Sequence, residues 1–292
     1  MATQTIHHTR CNSFPLPSTQ HPLSTEVNEH LNRLRASAAT STSSSSSISH
    51  KLNGFQDLYV CVDELLQLPL FQQALAQEQH KEWVDELLDG SLRLLDLCST
   101  TKDVVLRTKE SANELQSALR RRKSGEIELV SEVRKYLTSR KVVKKTIHKA
   151  LGNLKGIQTK QIFSPSDDHE TKAIVSILRE VESVTSSMFN HLLSLINGPN
   201  PGSWLLFSKL MHHKRITWEE AGRDINGFEN VDTALKSLAS QKMSKSENIM
   251  NLEIQNHLKD LELCIQVLED GFDCLFRCMI KARVSLLSSL TS

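Results

Sequence analysis

The 292-residue chain has no apolar run approaching the roughly 20 residues a membrane-spanning helix needs, which excludes a polytopic membrane protein. Glycine and proline are scarce, 10 and 7 residues, too little punctuation for the many short strands of a β-sandwich or barrel. Aromatic residues make up only 5%, so a core is expected to close mainly through Leu, Ile and Val. Neither sign of charge dominates: 35 Lys and Arg face 34 Asp and Glu, for a formal net charge of +1. Bulk electrostatics therefore advertises neither a nucleic-acid nor a membrane partner. What the chain does have is strong aliphatic periodicity, which argues against a disordered chain even though only 39% of residues are hydrophobic.

There are six cysteines: Cys11, Cys61, Cys98, Cys264, Cys274 and Cys278. All but Cys11 fall in apolar, helix-patterned stretches, where a free cysteine acts as a small hydrophobe. A disulfide framework belongs instead to short secreted chains. Cys274 and Cys278 share a helix face at four-residue spacing, but two thiols fall short of the four ligands of a structural zinc site. The opening MATQTIHHTRCNSFPLPSTQHPLSTE lacks a continuous apolar stretch of the secretory type, and one Arg with a late first acid, Glu26, makes a poor transit peptide. Reduced thiols and a cytoplasmic or nuclear location are expected.

The pattern divides into an N-terminal segment, residues 1–47, and one helical domain, residues 48–292. The first is expected to be disordered apart from a short helix through Val27, Leu31 and Leu34. It runs into the Ser/Thr tract AATSTSSSSSIS (38–49), which reads as a flexible linker and a candidate phosphosite region. Beyond it, Ile48, Leu52, Phe55, Tyr59, Val62 and Leu66 recur at steps of three and four. Pro69 disfavours helix at Leu68 and predicts a break there, with a short helix through Phe71 and Leu75 after it. A pattern of about 40 residues follows, through Trp83, Leu92, Val105, Leu106 and Leu119, as one helix or as two with a bend near Ser99–Thr101. The next two helices use Val133, Tyr136, Val143 and Ile147, and then Ile174, Val181, Leu192 and Ile196. Gly198-Pro199-Asn200-Pro201-Gly202 ends the latter. A short helix is predicted through Trp204–Met211, mixed spacing through Trp218–Leu238, and a long last helix from Ser246, with the stripe Ile249, Leu252, Leu258, Leu261, Ile265, Leu268, Phe272, Leu275, Met279, Val284, Leu287 and Leu290. The fold class is all-α, an elongated bundle of five to seven helices with the last packed along the middle ones.

Nucleotide-binding, hydrolase-elbow, HExxH and EF-hand signatures are all missing from the sequence. His212 and His213 are adjacent and point about 100° apart on a helix, a poor metal pair beside Lys209, Lys214 and Arg215. The acids Glu219, Glu220, Asp224, Glu229 and Asp232 read as a solvated face or as ion-pair partners for a basic segment. No catalytic, cofactor-binding or metal-ligating residue is assigned. The closing FDCLFRCMIKARVSLLSSL has the mixed character of an interfacial membrane helix, although burial in the bundle explains it with less.

One region rises above the background. Between Arg120 and Lys160 there are thirteen basic residues: Arg120, Arg121, Arg122, Lys123, Arg134, Lys135, Arg140, Lys141, Lys144, Lys145, Lys149, Lys155 and Lys160. Only Glu126, Glu128 and Glu132 oppose them. Lys141, Lys145 and Lys149 repeat at four-residue steps, a stripe along one helix face. Three readings compete: a solvated or internally paired face, on which the Glu219–Asp232 segment could dock; a protein-binding surface; and a surface for phosphate-bearing ligands, anionic lipid or nucleic acid. Tyr136 is the lone aromatic among these bases, so stacking on single strands is poorly served.

Several stretches carry a resemblance. HPLSTEVNEHLNRLR, KLNGFQDLYVCVDELLQLPLFQQAL, VDELLDGSLRLLDLCSTTKD, LQSALRRRKSGE and VRKYLTSRKVVKKTIHKALGNLK resemble the N-terminal half of a plant family. WLLFSKLMHHKR, NGFENVDTAL and LEDGFDCLFRCMIKARVSLLSSL resemble its C-terminal half. The chain is similar, from about residue 20 to its end, to the plant-specific domain of unknown function 241 family, whose members are labelled BYPASS-like. The resemblance implies a role in root and shoot development, with no established enzymatic activity and no catalytic residues to carry over. Together these readings lead to the expectation of a non-enzymatic helical interaction or scaffold module without cofactors. An unidentified protein partner ranks first and anionic lipid or nucleic acid second.

Overall fold

The computed structural model describes residues 21–39, 45–77, 82–121, 126–157, 169–198, 227–240 and 247–291. These residues form eight helices and no strand: α1 (Pro22–Ala39), α2 (Ser45–Leu66), α3 (Pro69–Gln77), α4 (Glu82–Arg120), α5 (Glu126–Ile157), α6 (His169–Asn197), α7 (Gly227–Ser240) and α8 (Glu247–Thr291). The all-α expectation is met, with one more helix among the described residues than the five to seven foreseen. The expected helix through Trp204–Met211 lies outside the described residues.

Local chemistry explains the boundaries. His21 caps α1: its carbonyl accepts from Ser24 N at 2.9 Å, and its ring Nδ1 accepts from Leu23 N at 3.2 Å. Pro69 stands at the first position of α3, where its missing N–H costs nothing, so the chain breaks at Gln67–Leu68 as predicted. The long α4 is one helix of 39 residues, roughly 58 Å at 1.5 Å per residue. Its Thr101 and Thr108 hydroxyls do not compete with the helix: they donate to the carbonyls of Leu97 (2.7 Å) and Val104 (2.8 Å) one turn back. At the end of α6, Gly198 takes φ of 71° and its N–H reaches the Ser194 carbonyl at 3.2 Å, a left-handed cap that favours glycine.

The core is organised around α8, which packs along α2 and α4 and also meets α3 and α7. Phe272 of α8 stacks on Phe189 of α6 with ring centroids 5.9 Å apart. Helix α2 crosses α8 closely at Gly271, where a Cβ would stand 2.5 Å from Leu52 Cδ1 and 3.1 Å from Leu52 Cβ. Asp63 of α2, 1% exposed, pins the same pair of helices. It accepts from Ser285 Oγ (2.6 Å), Lys281 Nζ (2.9 Å) and Gln67 Nε2 (2.9 Å). Burial alone would raise its pKa, but these donors outweigh burial and hold the carboxyl below its ordinary value. Arg283 likewise turns inward and donates to the Leu88 carbonyl at 2.5 Å and to Ser91 Oγ. Two of the three cations that gave this stretch an interfacial look are therefore bundle contacts. Among the described residues no helix is long and apolar enough to cross a membrane.

Helix α1 is part of the packed body: Val27 and Leu31 are fully buried in the same core as the later helices. The serine tract is narrower as a connector than its composition indicates. Ser45–Ser49 form the first turn of α2, held by buried Ile48, and residues 40–44 lie outside the described set. Two stripes also need correction. Leu252, Val284 and Leu287 on α8 are exposed, and Ile254, Ala282 and Leu286 take the inward positions. After Met279 the inward steps are three and four residues; a step of five to Val284 swings the side chain about 140° away. On α4, Leu92 and Leu106 face outward for the same reason, with Leu94 and Val104 inside.

Candidate functional site on the basic helix

Helix α5 buries Val133, Tyr136, Val143, Ile147, Ala150 and Leu154. Arg140 falls in that same stripe, four residues after Tyr136 and three before Val143, so the helix carries it inward. It is 2% exposed. Its Nε donates to Asp232 Oδ1 of α7 at 2.9 Å and its Nη2 to Asp232 Oδ2 at 3.2 Å, the paired geometry that suits a guanidinium and a carboxylate. Nη2 also reaches the Ile196 carbonyl at 2.8 Å, satisfying an orphan acceptor at the C-terminus of α6. The Phe228 ring lies below the guanidinium, 5.7 Å from its centroid. Lys144, one turn on, closes the cluster with Nζ 2.8 Å from Asp232 Oδ2. Burial would raise the Asp232 pKa, but hydrogen bonds and charge from Arg140 and Lys144 outweigh it and hold the carboxyl below its ordinary value. Tyr136 lies alongside with its phenol pushed up by burial. Among the described residues Arg140 Nη1, Tyr136 Oη and Asn197 Oδ1 have no hydrogen-bond partner.

Arg140 and Lys144 therefore do not belong to a free basic surface. They join α5, α6 and α7 from within, and docking of the acidic segment on the basic helix is realised by Asp232. Glu229 of the same segment is half-buried, while Glu219, Glu220 and Asp224 lie outside the described residues.

The other bases fall on the opposite side. Lys141, Lys145 and Lys149 are exposed, one helical turn apart, and span about 12 Å along the axis. Arg134, also exposed, stands two turns earlier on the same face. Among the described residues no carboxylate forms an ion pair with any of these four. Lys135 is exposed and paired with Glu132 at 2.6 Å. Arg120 and Arg121 are exposed at the end of α4, whereas Arg122 and Lys123 lie outside the described residues, as do Lys160 and the side chain of Lys155. Exposed Val142 adds an apolar patch beside the ladder. The arrangement offers a row of solvated point charges with one aliphatic contact, suited to an acidic surface.

Two further clusters went unread in the sequence. Glu182 of α6 lines a small, half-open cleft with Tyr59, Ser91 and Arg283. Burial pushes its carboxyl up against the opposing pull of Arg93 and Arg179. On the opposite flank Glu26 and His30 of α1 meet Cys61 of α2, with one potential ligand atom from each lying within 4.8 Å of the others. The four-residue spacing of Glu26 and His30 is visible in the sequence; their meeting with Cys61 is tertiary. The sulfur of Cys61, like those of Cys98, Cys264, Cys274 and Cys278, is a free thiol.

A bundle of eight helices among the described residues, its most basic helix half absorbed into the core and half presented to solvent, defines the class: an all-α protein with a lysine-lined outer face. The chain belongs to the protein BPS1 family, whose model matches residues 51–288. That span holds the whole lysine ladder and Asp232, and leaves α1 outside it. Comparison with curated proteins and with solved structures finds no match.

Proposed function

We propose that this protein is a non-enzymatic helical scaffold acting in root and shoot development, and that the outer face of α5 binds an acidic surface of a protein partner in the cytoplasm or nucleus. The observation that carries the reading is the exposed ladder Lys141, Lys145 and Lys149, free of ion pairs among the described residues while Arg140 and Lys144 on the same helix are consumed internally. A single exposed ion pair contributes about 0–1 kcal/mol, so recognition here rests on several charges acting together. Such a row speeds encounter and selects partners by charge more than it supplies raw affinity. The same ladder supports a second reading, a phosphate-bearing surface such as anionic lipid or nucleic acid.

The test is affinity capture from plant tissue with the native chain and with a Lys141→Glu, Lys145→Glu, Lys149→Glu variant. All three side chains are solvated, so far-UV circular dichroism of the variant is expected to be unchanged. Loss of a discrete partner set supports the reading; an unchanged set refutes it. Titration of the native chain with anionic vesicles and with duplex DNA, from about 50 to 200 mM salt, separates the second reading. Counterion release would make phosphate-surface binding fall by orders of magnitude over that range.

A further inference from the structure

Glu26 and His30 stand one turn apart on α1, which places both side chains on one face of the helix. That face lies over Cys61 of α2, and a carboxylate oxygen, an imidazole nitrogen and the sulfur all fall within 4.8 Å of one another. His30 and Cys61 are 9% and 7% exposed, while Glu26 opens to solvent. Val27 and Leu31, the residues next to Glu26 and His30 on the same helix, are fully buried in the core. Asp57 and Glu64, one turn to either side of Cys61 on α2, add negative potential at the sulfur together with Glu26. Among the described residues no cation forms an ion pair with Glu26 or Asp57. Burial and these three carboxylates push the thiol up to about 11, so without a cation it is a neutral S–H donating to Glu26.

We propose that Glu26, His30 and Cys61 form a zinc site that staples α1 onto α2. One oxygen, one nitrogen and one sulfur donor are the set borderline-soft Zn²⁺ takes in tetrahedral coordination, whereas Mg²⁺ and Ca²⁺ prefer all-oxygen shells. Zinc–ligand bonds of the usual lengths place tetrahedral donors roughly 3.3–3.6 Å apart. The three atoms therefore need to close by at most about an ångström, through rotation of the exposed Glu26 side chain and of the His30 ring. On binding, the Cys61 S–H bond breaks, its electron pair goes to Zn²⁺ and the proton leaves to solvent; nothing is oxidised or reduced. The acidic surroundings that oppose a thiolate in the free protein then favour the doubly charged ion. The fourth position is left for water or for Asp57, on the same face of α2 as Cys61. Cys274 and Cys278 on α8 are the obvious competitor for soft metals, and the test is built to separate the two.

The full chain is stripped with a chelator and titrated with Zn²⁺, and in parallel with Co²⁺ as a spectroscopic probe. The expected result is one Zn²⁺ per chain, a thiolate-to-cobalt charge-transfer band in the near ultraviolet, and a rise in melting temperature with metal. Cys61→Ser abolishes the band. Because Cys61 is buried and its variant could fail to fold, Glu26→Gln and His30→Gln supply an independent reading. Both are expected to keep the helical dichroism and to lower zinc affinity about 10–100-fold or more. The double variant Cys274→Ser, Cys278→Ser keeps both band and affinity. The proposal is overturned if the native chain gives no thiolate–cobalt band. It is equally overturned if the band follows Cys274 and Cys278, or if the Glu26 and His30 variants bind zinc like the native chain.

Discussion

Replacing Asp232 with alanine tests whether the junction of α5, α6 and α7 is held by a buried charge pair. The carboxylate makes two hydrogen bonds to Arg140 and one contact to Lys144, and its side chain is 6% exposed. Truncation leaves the Arg140 guanidinium, 3% exposed, with the Ile196 carbonyl as its remaining hydrogen-bond acceptor and the Phe228 ring against it. Removing one member of such a pair costs about 3–5 kcal/mol, because an uncompensated charge stays in a dry site. Lys144 adds little, since its side chain is 28% exposed and its ammonium can turn to water. At about 2–4 °C per kcal/mol for a chain somewhat smaller than this one, the loss is a fall in melting temperature of roughly 6–20 °C. Arg140→Met should cost less than Asp232→Ala, because Lys144 still neutralises the carboxylate. The double variant Arg140→Met, Asp232→Leu should recover most of the loss, as apolar replacement of a whole buried pair commonly does. Urea unfolding of the native chain, Arg140→Met, Asp232→Leu and the double variant, followed by circular dichroism, gives all four corners of the cycle. The reasoning fails if Asp232→Ala costs under about 1 kcal/mol, or if the double variant is as unstable as the sum of the singles.

Acidification attacks two joints of the fold. Asp63 and Asp232 both have lowered carboxyl pKa values, so their contribution is present above the ordinary carboxylate pKa of 3.8 and is lost as pH falls from there through the folded values. Asp63→Asn should flatten the stability–pH curve below about pH 4, and an unchanged slope would count against it. Glu182 runs the other way. Its pKa is raised from 4.5, so ionisation costs folding free energy as pH rises from there through the folded value. Glu182→Gln should therefore raise the urea midpoint at pH 7 and leave it unchanged near pH 3; a lower midpoint at pH 7 would mean that Arg93 and Arg179 outweigh burial. Gly271→Val drives methyl groups into Leu52, whose Cβ as well as its Cδ1 stands in the way, and should destabilise by about 1–3 kcal/mol in thermal melts. A neutral effect would show that the α2–α8 crossing yields more readily than its spacing implies.

Helix existence was legible because each depends on local rules. The steps from Ile48 to Leu66, the break at Pro69 and the cap at Gly198 are consequences of backbone sterics and 3.6-residue periodicity, which act over a few neighbours. Which side of a long aliphatic helix turns inward was less legible. With Leu or Val on several faces of α8, Val284 and Leu287 looked as eligible for the core as Ala282 and Leu286. Only the surface of the neighbouring helices discriminates between them.

The candidate site divides in the same way. That α5 is intensely basic, and that Lys141, Lys145 and Lys149 share a face, follows from residue identity and the helical repeat alone. That Arg140 falls on the inward stripe and Lys141 off it is likewise local; that a charge can stay at that inward position was settled by a carboxylate 92 residues away in sequence. A charge is tolerated in a dry interior only where its counter-charge is brought to it. The grouping of Glu26, His30 and Cys61 is tertiary for the same reason, because the third donor belongs to another helix. Sequence by itself determined the helices, their breaks and the net charge of each segment, since these are sums over local terms. The tertiary structure alone decided which charges are spent inside the fold and which remain for a partner, because desolvation depends on what lies opposite, and nothing opposite is local.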